Sequence, residues 1–501
     1  MSRLIITYIL LSLLGSDASS SQFTPSKEDL KSSLGTLQLK EEMNRLFNSD
    51  EAKGIFWGVD VVRLKDRQEL FSLNRNKRFR PASNMKSIIA SAALKALSAD
   101  FQFDTKLFID GKIVNGVLKG NLIVVGSGDP TFKSEAFLNW YDALRKYKIE
   151  KITGDVIGID AIFDDQKLGL LWSWDDLSNC YSAQISGLQI NNNCVELRVS
   201  PSEQGRRAAI KKFPDTSYVK IYNNTKATEG RSNLKFKREE NSNNIIIEGE
   251  LSKNTPEINK WVSVNNPTLY FSTLLYEGLN ANGFVVSGKP RDARDIGYVL
   301  NRNKAYQIAN HKSPTLRAII NDFLKYSINL YGESILKTLG FVYFNEGTTY
   351  NGRLAVNLIF KQFNLPEDTL FIADGSGLSG LNLISPEYMT SLLYSMSRSY
   401  QYRSFFDALS VSGMDGTLRK RLTSEYLKGA IHAKTGYIRN VRTLSGYIDT
   451  FGNDRVAFAV FANNYDNKLD KAESVINKAC AIMRLYNTSK DPNSMNDNNG
   501  Q

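Results

Sequence analysis

Four Ser-x-x-Lys pairs occur in the chain, beginning at Ser83, Ser217, Ser232 and Ser334. The chemistry such a pair offers is acyl transfer by a serine activated by an amine. On a helix, positions i and i+3 share a face, so the lysine can reach the serine Oγ. Burial among apolar residues disfavours the charged amine and lowers its pKa. A neutral amine can then take the serine's proton as the oxygen attacks a carbonyl. Context separates the four pairs. Arg80-Pro81-Ala82-Ser83-Asn84-Met85-Lys86 leads into Ser87–Leu97, nearly all small or apolar, which predicts a helix buried on most sides. Ser83 alone also reads as a helix N-cap beside a surface lysine.

Two further elements follow in order. Ser327-Ile328-Asn329 is a Ser-x-Asn, a pattern that also occurs at Ser72-Leu73-Asn74. Lys434-Thr435-Gly436 occurs once and begins a strand. Lys434 and Thr435 can hold a carboxylate by charge and hydroxyl hydrogen bonds. Gly436 would let a substrate backbone approach the strand. In this order the three elements resemble those of the penicillin-binding proteins and serine β-lactamases, and the combination is far more specific than any one piece. The long gap between Lys86 and Ser327 is similar to that of the class C low-molecular-mass penicillin-binding proteins, the D-alanyl-D-alanine carboxypeptidase/endopeptidase family, which inserts two domains there. The resemblance extends to Gly126–Pro130, Trp172–Asp176, Tyr181–Ala183, Asp374–Ser379 and Gly413–Leu418, and covers roughly residues 40–485.

The resemblance implies roles. Ser83 forms the acyl-enzyme and Lys86 is its base. Ser327 relays a proton to the leaving amine, and Asn329 hydrogen-bonds the substrate amide. Lys434 and Thr435 bind the terminal carboxylate, and the backbone N–H groups of Ser83 and Tyr437 form the oxyanion hole. Asp176 and Tyr181 match residues that hold the side-chain end of the stem peptide's diamino acid; Asp176 also reads as a structural turn residue. Some members share the spacing of Cys180 and Cys194, which implies a disulfide. Cys480 reads as a buried free thiol. The chain departs from the pattern at Gly380, where relatives carry an arginine; Arg439 is the expected substitute. Tyr437 stands where Thr or Ser is common, and Ile328 where a polar residue is common.

Around these residues the sequence predicts a helix over 36–48, strands over 55–64 and 69–73, and short strands alternating with turns over 100–300. The stretch 203–260 is polar and rich in Asn and Lys, a further small β-rich module. A helix is expected from Ser313-Pro314-Thr315, with Pro314 in its first turn, continuing past Leu336. Strands over 430–438, 443–448 and 456–463 and a helix over 468–486 close the pattern. Periodicity gives α plus β. The resemblance implies a mixed α/β (α+β) fold: a penicillin-binding domain, its antiparallel sheet flanked by helices, with two inserted β-rich domains. The expected extents are 21–99 and 304–488 for the penicillin-binding domain, 100–199 and 263–303 for the outer insertion, 200–262 for the inner one, and 489–501 for a polar tail.

Arg3, the apolar run Leu4–Leu14 and the small residues Gly15–Ser20 read as a signal peptide over residues 1–20. The run is too short to span a bilayer comfortably. Export and a periplasmic location follow. The net charge of +11 suits anionic wall polymers or headgroups, so peripheral wall or membrane contact is open. No zinc-finger spacing or Walker-type loop points to nucleic acid. The only two histidines, His311 and His432, lack a nucleophile-elbow context, which argues against a Ser-His-Asp triad. No His, Cys and carboxylate cluster suggests a metal, and no cofactor is expected. The expected activity is D-alanyl-D-alanine carboxypeptidase or endopeptidase action on peptidoglycan peptides, with β-lactams as covalent inhibitors. One alternative is a serine β-lactamase, which needs a dedicated deacylating base that no extra motif supplies. Another is an idle wall-binding scaffold, against which the complete set of motif residues argues.

Overall fold

The computed structural model describes residues 33–202, 206–363, 365–366, 368–466 and 469–491. The expected signal peptide and residues 492–501 of the expected tail lie outside them. No helix among the described residues is long and apolar enough to cross a membrane.

Alternation builds the central sheet. Its strands are β1 (Phe56–Arg63), β2 (Glu69–Leu73), β3 (Ser410–Val411), β4 (Ile431–Ile438), β5 (Val441–Asp449) and β6 (Arg455–Asn463). Along β6, Val456, Phe458, Val460 and Ala462 enter one core while Ala457, Ala459 and Phe461 enter another, as the two-residue side-chain period of a strand requires. The spatial order is β2-β1-β6-β5-β4-β3, and every neighbouring pair is antiparallel. One core is closed by α1 (Thr36–Phe47) and the final helix, through Leu39, Met43, Val475 and Ile476. The opposite core is closed by α2 (Met85–Leu97), α3 (Leu316–Lys325), α4 (Asn329–Phe344), α5 (Thr349–Phe360) and α6 (Pro386–Ser397). Every residue of α2 from Met85 to Leu94 is buried, so α2 is the axis of this helical layer. The final helix, α7, spans Leu469–Arg484.

Two expected boundaries move. Thr315 is the N-cap of α3, so Pro314 precedes the cap instead of occupying the first turn. The helix expected to run past Leu336 breaks at Ser327, whose φ is +58°. A left-handed residue with a side chain cannot continue a right-handed helix, and α4 starts afresh at Asn329.

Strands Asp104–Ile109 and Tyr306–Lys312 pair antiparallel, so the chain leaves and re-enters the helical layer at neighbouring points. Between them two helices, Phe137–Lys146 and Pro267–Ala281, lie among the strands. Asn266 caps the second by accepting from Leu269 N at 3.0 Å. One apolar cluster runs from Leu107 to Ile308 and includes Ile245 and Ile247, so the polar 203–260 stretch shares a core with its surroundings. This part grips α4: Gln189 Nε2 donates to Ser334 Oγ at 2.6 Å, and Lys337 donates to Gln166 O at 2.7 Å and pairs with Asp164. The Ser334–Lys337 pair is thereby committed to packing.

Candidate active site

Ser83 lies in a single 3-10 turn, Ala82–Asn84, that runs directly into α2, with Lys86 in the helix's first turn. Ala82 has φ +46°, a conformation costing about 1–2 kcal/mol for a residue with a Cβ. Packing holds it there. Asn84 Nδ2 donates to Thr443 Oγ1 at 2.5 Å, and Thr443 Oγ1 donates to Pro81 O at 2.8 Å. A Cβ at Gly377 would lie 1.9 Å from Ala82 O, and one at Gly436 would lie 2.1 Å from Thr443 Oγ1 and 2.7 Å from Pro81 O. Glycine at 436 is therefore required by the docking of the Ser83 turn on the sheet, whatever approaches from outside.

Lys86 has no exposed surface. Its Nζ lies 2.9 Å from Ser83 Oγ, 2.7 Å from Asn329 Oδ1 and 2.6 Å from Ser376 O. Burial pushes the amine down to about 7, against the opposing pull of Asp374 and Glu333. A neutral amine has two N–H groups and one lone pair. The two hydrogens suit Asn329 Oδ1 and Ser376 O, which leaves the lone pair to accept the Ser83 hydroxyl. Both polar atoms of the Asn329 side chain are engaged, since its Nδ2 donates to Tyr181 O at 2.8 Å.

The break before α4 turns Ser327 toward β4. Lys434, also fully buried, donates to Ser327 Oγ at 2.9 Å and to Thr435 O at 2.9 Å. Burial, and next the charge of Lys86, hold the Lys434 amine well below its ordinary value. Thr435 Oγ1 donates to Thr417 Oγ1 at 2.8 Å. Strand β3 pairs only with Ala433 and His432, so on the side away from β5 nothing pairs as a strand with β4 beyond Ala433 among the described residues. That open edge can receive an extended chain. Tyr437, on this edge, is 46% exposed, and Arg442 lies over its ring at 5.2 Å.

The inserted part closes one side. A Cys180–Cys194 disulfide holds the segment carrying Asp176 and Tyr181. Tyr181 donates its hydroxyl to Asp176 Oδ1 at 2.5 Å; burial and that contact raise the phenol. Trp172 Nε1 donates to Asp374 Oδ2 at 2.9 Å. Arg439 lies in the exposed turn between β4 and β5. Gly380 stands in open space, with nothing within 4 Å of a Cβ placed there. His432 stacks on Phe406 at 4.0 Å and His311 lies against Phe132 at 4.6 Å; both are packing residues. Cys480 is buried and unpaired. Glu333 carries little signal in the sequence. Its one signal is its place four residues after Asn329, on the same helix face.

Comparison with known proteins agrees with this geometry. The model of a family described as D-Ala-D-Ala carboxypeptidase 3 (S13) matches residues 39–482. The chain is 29% identical over 418 residues to D-alanyl-D-alanine carboxypeptidase DacB of Haemophilus influenzae, covering 81% of this chain and 85% of the relative. It is 28% identical over 441 residues to a D-alanyl-D-alanine carboxypeptidase of an Actinomadura species, covering 85% and 81%. The crystal structure of Haemophilus influenzae penicillin binding protein 4 (dacB) superposes with a TM-score of 0.76 at 26% identity, covering 89% of this chain and 99% of that one.

Proposed function

The chain belongs to the D-Ala-D-Ala carboxypeptidase 3 (S13) family, and from that premise we propose that it hydrolyses D-alanyl-D-alanine peptides of peptidoglycan with Ser83 as nucleophile and Lys86 as its base. It is a serine-type hydrolase of the carboxypeptidase/endopeptidase kind. The single observation that carries the residue assignment is the Lys86 amine: fully buried, pushed down by that burial to about 7, and 2.9 Å from the Ser83 hydroxyl.

The steps follow from the contacts. The substrate's terminal strand lies along the open edge of β4, its carboxylate on Lys434 and Thr435. Lys86 takes the Ser83 proton as Oγ attacks the carbonyl carbon of the penultimate D-alanine. The backbone N–H groups of Ser83 and Tyr437 receive the developing oxyanion. Ser327, held by Lys434, relays to the departing amine the proton that Lys86 took from Ser83. Water then frees Ser83 and the shortened peptide. Asn329, with both polar ends engaged, orients Lys86 and ties the inserted segment to it. The same acylation chemistry applied to a β-lactam ring leaves a covalent adduct on Ser83. Work on cell-wall peptides requires export, and the periplasm is the compartment this reading assigns.

Digestion of purified cross-linked and uncross-linked wall fragments, resolved by mass, tests the reading. Loss of a terminal D-alanine or scission of the D-alanyl cross-link is expected, and no product from either would reject it. The same assay addresses Arg439, which we assign to the substrate's side-chain carboxylate. Arg439→Ala is expected to lower kcat/KM for diaminopimelate peptides about tenfold, the share of one charge-assisted hydrogen bond, while lysine peptides change little. Equal losses on both would remove Arg439 from that role.

A further inference from the structure

One buried acid beside the base has no part in the steps above. Glu333 is 1% exposed and sits on α4, one turn beyond Asn329. Its two oxygens accept from consecutive backbone groups: Oε2 from Gly375 N at 2.9 Å and Oε1 from Ser376 N at 2.8 Å. Ser376 O, on the far side of the same residue, accepts from Lys86 Nζ at 2.6 Å. The neighbouring acid, Asp374, is equally buried and differently engaged. It accepts from Gly377 N at 2.7 Å, Ser379 N at 2.6 Å, Asn382 Nδ2 at 2.7 Å and Trp172 Nε1 at 2.9 Å. Asp374 ties the loop into a knot; Glu333 clamps the two residues of the knot that present a carbonyl to the base. The approach leaves no slack. A Cβ at Gly332 would lie 2.5 Å from Gly375 O, and one at Gly375 would lie 2.2 Å from Gly332 O. Helix α4 thus delivers both acceptors of the neutral Lys86 amine: Asn329 Oδ1 directly and Ser376 O through Glu333.

We propose that Glu333 is a positioning residue of the acylation step, fixing the Lys86 amine against Ser83 by clamping the Gly375–Ser376 peptide. The role rests on the reading of Lys86 as base. Burying a carboxyl in an apolar helical layer is costly unless its hydrogen bonds are made, and a core helix has no packing need for one. A neutral isostere tests the role directly. In Glu333→Gln one backbone N–H meets an amide NH2 group, so the clamp opens on one side and Ser376 O loosens its hold on the amine. Loss of an acceptor disfavours the ammonium form. Of the charged groups facing Lys86 from the packed elements, Asp374 of the loop and Lys434 of β4 are unchanged; the substitution removes the upward pull of Glu333 itself, which moves the amine the same way as the loosened carbonyl.

Acylation by a fluorescent penicillin, followed from pH 5 to 9 in wild type and Glu333→Gln, reads the effect. The expected result is a rate of acylation from the reversible complex about 10- to 100-fold lower, with the penicillin dissociation constant within about twofold of wild type. The acid limb of the profile is expected to move to lower pH. The normalised profile does not depend on how much enzyme is folded, so poor folding of the variant leaves the test intact. An unmoved limb, or a loss carried by the dissociation constant, would overturn the positioning role. A wild-type profile with no limb near pH 7 would instead overturn Lys86 as base, so the two failures are distinguishable.

Discussion

Ser83→Ala is expected to abolish covalent labelling by penicillin and to lower peptide hydrolysis roughly 10^5- to 10^6-fold, the loss that follows when a nucleophile that acts as a unit with its base is removed. Nothing else in the cleft replaces it. Ser327 is held by Lys434, and the other Ser-x-x-Lys serines are engaged with other partners: Ser334 with Gln189, Ser217 with Glu277, Ser232 with Thr255. The fold is expected to survive, because the half-buried Ser83 side chain is bonded to Lys86 alone among its neighbours, while the strained turn is held by Asn84 and Thr443. Intact mass after penicillin treatment checks it: wild type gains one penicilloyl group, the variant none. A full adduct on Ser83→Ala would remove Ser83 as nucleophile.

Lys86→Met is expected to slow acylation about 10^3- to 10^4-fold, the contribution of a well-placed general base, without a matching loss of stability. The sign of the stability term follows from linkage. Burial lowers the amine from 10.5 to about 7 in the folded chain, so the unfolded chain binds more protons between those values and stability rises with pH across that window. Below about pH 7 the folded chain carries the full penalty of a buried charge, about 5 kcal/mol at 1.36 kcal/mol per unit. Methionine removes that penalty but leaves Asn329 Oδ1 and Ser376 O without a donor, at about 1–3 kcal/mol each. The terms oppose, and a melting temperature within a few degrees of wild type at pH 7 is expected. A collapse of both activity and fold would point to a structural lysine; unchanged acylation would show that the base lies elsewhere.

The proposed trio of Ser83, Lys86 and Lys434 is legible in the sequence because its geometry is local or periodic. Ser83 and Lys86 are three residues apart on one helix, and the apolar run after them fixes the helix and its burial together. Lys434 sits on a strand whose alternation is plain. The break at Ser327 was hidden because apolar residues continue on both sides of it, from Phe323 and Leu324 to Leu330 and Ile335; only the left-handed backbone of one serine interrupts them, and its hydroxyl's partner lies 107 positions away. Long-range contacts hid the rest. Glu333 looks like a helix-surface acid until the 374–379 loop is folded against it, and Trp172 looks like a surface aromatic until its indole meets Asp374. The helix Pro267–Ala281 carried its signal openly, Asn then Pro before an apolar run, yet the strand-and-turn texture around it masked it. In the sequence Gly436 suggests contact with substrate, whereas its own neighbours Thr443 and Pro81 already demand it.

The pH dependence of wild-type acylation by penicillin tests the central claim most directly. A base that must be neutral makes the rate climb with unit slope as pH rises through about 7, where burial has set the Lys86 amine, and level off above it; Lys86→Met should lose that limb together with most of its rate. A wild-type rate that is flat from pH 5 to 9, or a limb that persists in Lys86→Met, would contradict the account.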